Sequence, residues 1–281
     1  MLNKLKNFLL KKNPILFIDS ESKFDEVVDE LKLKKIIAID TEFDWRNTYF
    51  PKLSLIQIST NRKIFLIDCL KLNSLSKLKS IFENQEIIKI FHAVRSDAIV
   101  LYNSENLKIQ NCFDIQIAER LLTGDDLKSY SKIVLNYLSL KIDKSETNSN
   151  WLKRPITRSQ TQYAADDVRY LINIYLSQKK LLLKKPNLYS LVLAESEIQV
   201  NKGNQKLYEA RLNRKKMSSY EKKIFLWREK IAQEQNTPIS YVFKDNKLKD
   251  LSNNLKIKNT KMLIKILGDK YLVERLIEEV K

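Results

Sequence analysis

The first hundred residues carry the apolar patterns of several short β-strands. Apolar runs occupy residues 14–18 and 36–41, and FDEVVDELKL between them has the spacing of an amphipathic helix. LSLIQIST, residues 53–60, alternates apolar and polar side chains, and KIFLIDC, residues 63–69, follows after a short polar turn. These two segments predict an antiparallel hairpin.

The pattern changes to mixed strands and helices further along. IIKIFHA, residues 87–93, predicts another strand that leads into a helix, and helical spacing fills most of residues 114–184. Several strands followed by mixed strands and helices predict an α/β or α+β layer with a mixed sheet.

A shift in composition near residue 206 predicts a domain boundary. The stretch NKGNQKLYEARLNRKKMSS is polar, basic and poor in large apolar residues, whereas helical periodicity resumes at Tyr220. We therefore predict one domain over residues 1–205, a connector over residues 206–219 and a small all-helical domain over residues 220–281.

Bulk composition favours a core-forming cytoplasmic protein. The 281 residues are 43% hydrophobic and 30% charged, and no apolar run approaches the roughly 18 residues of a membrane span. The start, MLNKLKNFLLKK, has lysines within its apolar patch and no small-residue cleavage site, so we expect no secretory signal. Two cysteines, Cys69 and Cys112, indicate a reducing compartment and neither a disulfide scaffold nor a zinc finger.

A net charge of +17 is the first indication of a partner. Surplus lysine favours a polyanion, because phosphate contacts release counterions. The alternative is that an A/T-rich genome uses lysine throughout the protein, since lysine, isoleucine and asparagine are all abundant.

Two carboxylates follow the apolar strand at residues 36–41. Asp40 and Glu42 are two residues apart, so their side chains point to the same face of a strand. Two like charges at the end of a buried strand are unfavourable unless a positive group lies between them.

A third carboxylate falls on the apolar face of the helix predicted in ITRSQTQYAADDVRYLINIYL. Thr157 and Gln160 form a capping box at its start. Tyr163 and Asp167 lie one turn apart on a stripe that continues through Leu171 and Ile174. Asp166 falls on the polar face and is an ordinary solvated charge.

Asp167 therefore needs a partner, which is either a buried ion pair or helix cap, or a cation shared with Asp40 and Glu42. Mg²⁺ and similar cations take carboxylate oxygens, whereas zinc prefers histidine, and His92 is the sole histidine. His92 ends a predicted strand and is expected to make a local hydrogen bond. A hydrolase of the Ser–His or Cys–His type would depend on it alone.

Two further aspartates follow strands and open helices. Asp97 lies within the first turns of its helix, where a carboxylate can act by capping or through the helix dipole. Asp114 has a similar position and is most simply an N-cap.

Taken together, Asp40-x-Glu42, Asp97 and Tyr163-xxx-Asp167 resemble the three motifs of the DEDD 3′–5′ exonuclease superfamily, in its tyrosine-bearing branch. Over roughly residues 14–200 the chain resembles bacterial ribonuclease D, in DTEFDWRNTYFPKLSLIQI, HAVRSD, FDIQIAERLL, IDKSETNSNWLKRP and YAADDVRYL. The tail, with FLWREKIAQEQNTPISYVFKDNKLKDLS, resembles one helicase-and-RNase-D C-terminal (HRDC) domain.

The resemblance implies a ribonuclease-H-like exonuclease domain and a site with two divalent cations, Mg²⁺ or Mn²⁺. It implies that Asp40 contacts both ions, that Glu42 and Asp167 hold the ion carrying the attacking water, and that Asp97 acts through ordered waters. It implies that Tyr163 orients the attacking water through its hydroxyl.

The implied reaction is stepwise hydrolysis from RNA 3′ ends, releasing nucleoside 5′-monophosphates. The implied substrates are tRNA precursors during 3′-end maturation, and we expect a monomer without a membrane partner. A 3′–5′ DNA exonuclease with the same chemistry remains an alternative, as does a non-catalytic RNA-binding protein.

Overall fold

A computed structural model describes residues 13–212 and 216–280 of the protein. The amino-terminal segment for which the sequence predicts no secretory signal lies outside these residues. No helix within the described ranges is both long and apolar enough to cross a membrane. The described residues divide into two compact units. The first runs to Asp44 and resumes over Leu53–Gln205, and the second joins Trp45–Lys52 to the residues from Lys206 onward.

Six strands form the mixed sheet of the first unit, in the order β1-β4-β3-β2-β5-β6. Strand β1 is parallel to β4, and β5 is parallel to both β2 and β6. Strands β3 and β4 pair antiparallel, which confirms the predicted hairpin. The strands are β1 (Ile15–Ile18), β2 (Ile36–Asp44), β3 (Lys52–Ser59), β4 (Ile64–Asp68), β5 (Ile88–Phe91) and β6 (Cys112–Asp114).

Helices of the first unit connect these strands and then follow them. They are α1 (Glu21–Lys32), α2 (Lys79–Phe82), α3 (Arg95–Glu105), α4 (Ile115–Thr123), α5 (Tyr130–Leu138), α6 (Arg158–Arg169), α7 (Leu171–Leu182) and α8 (Leu188–Gly203). The single helix predicted from Thr157 to residue 176 is wrong in one respect, because it is two helices that meet at Tyr170. Helical spacing alone does not reveal such a break when the apolar stripe continues across it.

Apolar side chains on the two faces of the sheet belong to two separate core clusters. Ile37 and Ile39 of β2 pack in one cluster with residues of α1, α2 and α3. Ala38, between them, packs in the other with residues of α4, α5, α6 and α7. This alternation along β2 determines which helix each later side chain of the strand can approach.

The second unit is helical. Its helices are α9 (Leu207–Leu212), α10 (Ser219–Glu234), α11 (Ile239–Val242), α12 (Leu248–Lys256), α13 (Thr260–Leu267) and α14 (Lys270–Glu279). Helix α10 begins with a capping box between Ser218 and Glu221. Helix α9 lies within the stretch that the sequence analysis describes as a connector. Trp45–Lys52, here named the strap, joins β2 to β3 and packs with this unit.

Candidate active site

Asp40 and Glu42 lie in the second half of β2. Their side chains point to the same face of the sheet as the side chain of Ala38. Helix α6 packs on that face through Ala164, Ala165 and Val168. The strand therefore directs both carboxylates toward the helix that carries Asp167. Both side chains are partly buried.

Thr41 points to the opposite face of β2, where α3 packs. Its hydroxyl donates a hydrogen bond of 2.6 Å to Oδ1 of Asp97, and both residues are buried. The carboxyls of Asp40 and Asp97 are also within hydrogen-bonding reach of each other. Thr41 thus links Asp97 to the strand, and the sequence analysis did not identify it. Its position between two carboxylates in the motif Asp-Thr-Glu was the available signal.

Thr41→Val keeps the shape of the side chain and removes this hydrogen bond. A hydrogen bond to a charged group contributes about 1.5–3 kcal/mol, so Asp97 should lose its fixed orientation. We expect the apparent dissociation constant of a divalent cation at these carboxylates to rise several-fold. Thr41→Ser, which retains the hydroxyl, should restore it toward the wild-type value, and equal titration curves for the two variants would contradict the role.

Asp114 does more than the N-capping that its sequence position predicts. It caps α4 by accepting a hydrogen bond from the amide of Gln116, which confirms the prediction. It also accepts hydrogen bonds of 3.0 and 2.9 Å from the amides of Ala93 and Val94. Ala93 has φ of 60°, so this turn is held in a conformation that L-residues seldom adopt. The turn leads directly into α3, which begins at Arg95, and so sets the position of Asp97 in the first turn of that helix.

Tyr163 and Asp167 are one turn apart on α6, as predicted. The capping box between Thr157 and Gln160 at the start of this helix is confirmed, with both reciprocal hydrogen bonds present. Asp166, predicted to be a solvated charge, is only partly exposed and accepts a 2.6 Å hydrogen bond from Nε of Arg169. Its charge is therefore balanced locally.

The hydroxyl of Tyr163 has a partner in the loop between α5 and α6. Oγ1 of Thr147 lies 3.2 Å from Oη of Tyr163. The ring of Trp151, which is buried, lies 5.9 Å from the tyrosine ring. These two contacts restrict the rotation of the Tyr163 side chain and so fix the position of its hydroxyl relative to α6.

Arg154 anchors the segment that carries Trp151. Its guanidinium donates two 2.7 Å hydrogen bonds to the buried carboxylate of Asp68 at the end of β4. It donates two more to the carbonyl oxygens of Trp151 and Ser54. Because two parallel hydrogen bonds fix both the orientation and the distance of the guanidinium relative to the carboxylate, the loop that carries Trp151 is held against the sheet.

Electrostatics single out the four predicted carboxylates. Burial, followed by the negative charges of three neighbouring aspartates, raises the pKa of Glu42 to about 10. Burial and the charge of Asp40 raise the pKa of Asp167 to about 9. Burial raises the pKa of Asp40 to about 6, although hydrogen bonds from the Thr41 backbone and with Asp97 lower it. Burial and the charge of Asp40 raise the pKa of Asp97 as well.

The donor set suits a hard divalent cation. Carboxylate oxygens are the ligands that Mg²⁺ and Mn²⁺ prefer, and the groups that perturb Glu42 and Asp167 are all negative. Within residues 13–212 and 216–280, no three His, Cys, Asp or Glu side chains are already gathered into a ligand cage. Two properties of the four carboxylates therefore fit a divalent cation. Their oxygens are suitable ligands, and their negative charges need a positive partner.

His92 makes the local hydrogen bond that its position predicts. Its Nε2 lies 3.0 Å from the carbonyl oxygen of Lys128, and burial lowers its pKa. The neutral ring therefore serves as a donor that links the end of β5 to the end of the α4–α5 connection, just before α5.

Comparison with known proteins gives the family. Residues 15–183 match the family model described as 3′–5′ exonuclease, and residues 221–280 match the HRDC domain. The chain belongs to the 3′–5′ exonuclease family. Members of the 3′–5′ exonuclease family generally use divalent metal ions.

Curated relatives of this chain are named ribonuclease D. It is 32% identical over 251 residues to that of Desulfotalea psychrophila, covering 84% of this chain and 66% of the relative. It is also 32% identical to that of Haemophilus influenzae, covering 85% and 62%. The chain thus spans somewhat under two thirds of these relatives' length. The resemblance to ribonuclease D is confirmed.

Solved structures of two exonucleases share the fold. Ribonuclease D of Escherichia coli matches with a TM-score of 0.78 at 25% identity, covering 86% of this chain and 66% of that one. The catalytic core of RRP6 from Trypanosoma brucei matches with a TM-score of 0.68 at 27% identity, covering 96% and 80%. The predicted exonuclease fold followed by a helical domain is confirmed.

Proposed function

We propose that the protein is a 3′–5′ exoribonuclease that hydrolyses phosphodiesters from RNA 3′ ends and releases nucleoside 5′-monophosphates. One observation carries the proposal. Strand β2 and helices α3 and α6 bring four carboxylates into electrostatic contact beside the Tyr163 hydroxyl. A hydrolase of the Ser–His or Cys–His type does not need this combination, whereas a DNA exonuclease with the same chemistry would share it.

We assign the metal ligands to Asp40, Glu42, Asp97 and Asp167. Two divalent cations, Mg²⁺ or Mn²⁺, would supply an activated water and stabilise the charge that develops on the leaving 3′-oxygen. Burial raises the pKa of both Asp40 and Asp97, and a bound cation would favour their ionised forms. Thr41 and the Asp114 turn hold Asp97 in place.

Tyr163 is assigned to orienting the attacking water. Burial and the charge of Asp167 raise its pKa to about 12, so its hydroxyl stays protonated at neutral pH. A hydroxyl in this state donates or accepts a hydrogen bond but does not act as a general base. The hydrogen bond with Thr147 uses one of the three hydrogen-bonding positions of that hydroxyl, which has one proton and two lone pairs.

The proposal that RNA is the substrate is supported by the net charge of the protein and by its similarity to ribonuclease D. The net charge of +17 favours a polyanion. The E. coli relative is described as an exoribonuclease involved in structured RNA processing, and we extend that role, with tRNA precursors as substrates, to this chain. A monomeric state and a cytoplasmic location stay predictions.

A matched pair of substrates tests the proposal. A tRNA with a 3′ extension and a DNA of the same sequence are incubated with the protein, with and without Mg²⁺, and the product ladders are compared. We expect a Mg²⁺-dependent ladder of single-nucleotide steps on the RNA, with 5′-monophosphates as the products. Degradation of the DNA alone would establish the DNA exonuclease, and binding without any ladder would establish the non-catalytic protein.

The free energy of unfolding should depend on pH, and bound Mg²⁺ should oppose this dependence. In the folded, metal-free protein the pKa of Asp167 rises from 3.8 to about 9 and the pKa of Glu42 rises from 4.5 to about 10. Between the ordinary and the raised pKa values, the folded protein therefore binds more protons than the unfolded chain. The free energy of unfolding should therefore fall as pH rises through this window. Mg²⁺ binds the ionised carboxylates, so it should raise the melting temperature more at about pH 8.5 than at about pH 6.

Thermal melts in EDTA and in Mg²⁺ at the two pH values measure this effect. Asp167→Asn removes one of the raised groups and should flatten the pH dependence in EDTA. Equal Mg²⁺ stabilisation at both pH values would contradict a site built from protonated carboxyls.

A further inference from the structure

The strap, Trp45–Lys52, has hydrogen bonds to residues nearly two hundred positions away in the sequence. The hydroxyl of Tyr49 donates a 2.7 Å hydrogen bond to Oε2 of Glu229 on α10. Nε2 of Gln233, one turn further along α10, donates a 3.1 Å hydrogen bond to the same hydroxyl. Tyr49 is 3% exposed and Glu229 is 1% exposed, so this contact is part of the interior of the helical unit.

The backbone of the strap is held as well. Oδ1 of Asn236, just after α10, accepts hydrogen bonds of 3.2 Å from the amides of both Tyr49 and Phe50. Within the strap, Nε1 of Trp45 donates a 2.9 Å hydrogen bond to the carbonyl oxygen of Tyr49. The strap is therefore a closed turn whose main chain and side chain are both fixed to one helix.

Glu229 is the centre of this arrangement. Besides Tyr49, its carboxylate faces the guanidinium of Arg211 at 3.4 Å, and that guanidinium lies 5.2 Å from the centre of the Tyr49 ring. A carboxylate this deeply buried is favourable only when its partners stay in place, and removing one partner is costly. None of these groups has a role in the hydrolysis proposed above.

The strap is connected directly to the end of β2, the strand that carries Asp40 and Glu42. β2 ends at Asp44, and the strap begins at the next residue. Glu42 is three residues before Trp45. The carboxylate end of β2 is thus joined by a single peptide bond to a turn that α10 holds rigidly.

We propose that the strap fixes the end of β2, so that Tyr49 and Glu229 are positioning residues for Asp40 and Glu42. On this proposal, which rests on the proposed function, the contacts of the strap contribute to the chemical step. Loss of the strap contacts lets the end of β2 move, and the metal ligands on it lose their alignment. A misplacement of about 1 Å can lower a rate by about a hundredfold.

Two variants of the full-length protein test the proposal. Tyr49→Phe removes the hydroxyl that joins Glu229 and Gln233. An insertion of two glycines between Asp44 and Trp45 leaves every strap contact intact and lengthens only the link to β2. Each should lower kcat on a short unstructured RNA about tenfold, with KM within about twofold of wild type.

Combining the two changes gives a sharper test. Because the insertion already uncouples the strap from β2, adding Tyr49→Phe to it should lower kcat no further, whereas independent defects would multiply. Tyr241→Phe is the control, since Tyr241 is an exposed tyrosine of the same helical unit. It should match wild type in both parameters.

A second readout does not depend on activity. Amide hydrogen exchange in the peptide covering β2 should be faster in Tyr49→Phe and in the insertion variant, and unchanged in Tyr241→Phe. Wild-type exchange in β2 and wild-type kcat in both strap variants would overturn the proposal. If wild type shows no hydrolysis that Asp40→Asn abolishes, the proposed function fails, and hydrogen exchange alone decides whether the strap fixes β2.

Discussion

Asp40→Ala and Asp167→Ala should each abolish hydrolysis while binding of RNA survives. Both side chains are assigned to metal binding, and the remaining carboxylates, Glu42 and Asp97, are assigned ligand positions of their own. A variant that keeps a tenth of the wild-type rate has lost only about 1.4 kcal/mol of transition-state stabilisation, which is too little for a metal ligand. Single-turnover cleavage and a binding titration on the same RNA measure both properties.

Asp166→Asn is the matched control, because Asp166 is adjacent to Asp167 on α6 and its charge is balanced by Arg169. It should cleave at close to the wild-type rate. In EDTA the Asp40→Ala and Asp167→Ala variants should be at least as stable as wild type, since each removes one of several repelling carboxyls. A large loss of stability would show that these residues serve the fold and not the metal.

Tyr163→Phe should lower kcat by more than about tenfold and leave KM nearly unchanged, since groups that position a reacting proton typically contribute about 10²–10⁴-fold. The ring would keep its contact with Trp151, so only the hydroxyl is tested. Steady-state kinetics on a short RNA at saturating Mg²⁺ separates the two parameters.

Tyr170→Phe is the control for this substitution, because Tyr170 follows α6 directly and has no assigned role in the site. It should leave both kinetic parameters unchanged. An unaltered turnover number in Tyr163→Phe would instead reduce Tyr163 to a packing residue against Trp151.

Local patterns were sufficient to predict the parts of the site that lie on single elements. The alternation in β2 put Asp40 and Glu42 on one face, and the helical spacing of α6 put Tyr163 and Asp167 one turn apart. Both follow from the fixed periodicities of strand and helix. The hairpin of β3 and β4 was predictable for the same reason, together with its short turn.

Contacts between distant segments were beyond this kind of prediction. The position of Thr41 between two carboxylates could draw attention to it, but its partner Asp97 becomes known only when α3 packs against β2. Arg154 and Asp68 are 86 residues apart, and the Tyr49 hydroxyl meets Glu229 across 180 residues. Periodicity contains no information about such pairs, because their meeting depends on how whole elements pack.

Gly203 has a practical consequence for anyone who redesigns this protein. Replacing a helical glycine by alanine is a standard route to greater thermal tolerance, and this one, at the end of α8, is an obvious choice. A methyl group here would lie 2.5 Å from Cβ of Ala98 and 2.9 Å from the amide nitrogen of Ile99. Those atoms belong to the residues of α3 that directly follow Asp97, so the added carbon would displace the part of the helix that carries a proposed metal ligand. Engineering for robustness should leave this glycine untouched and look for gains on the outer faces of the helices.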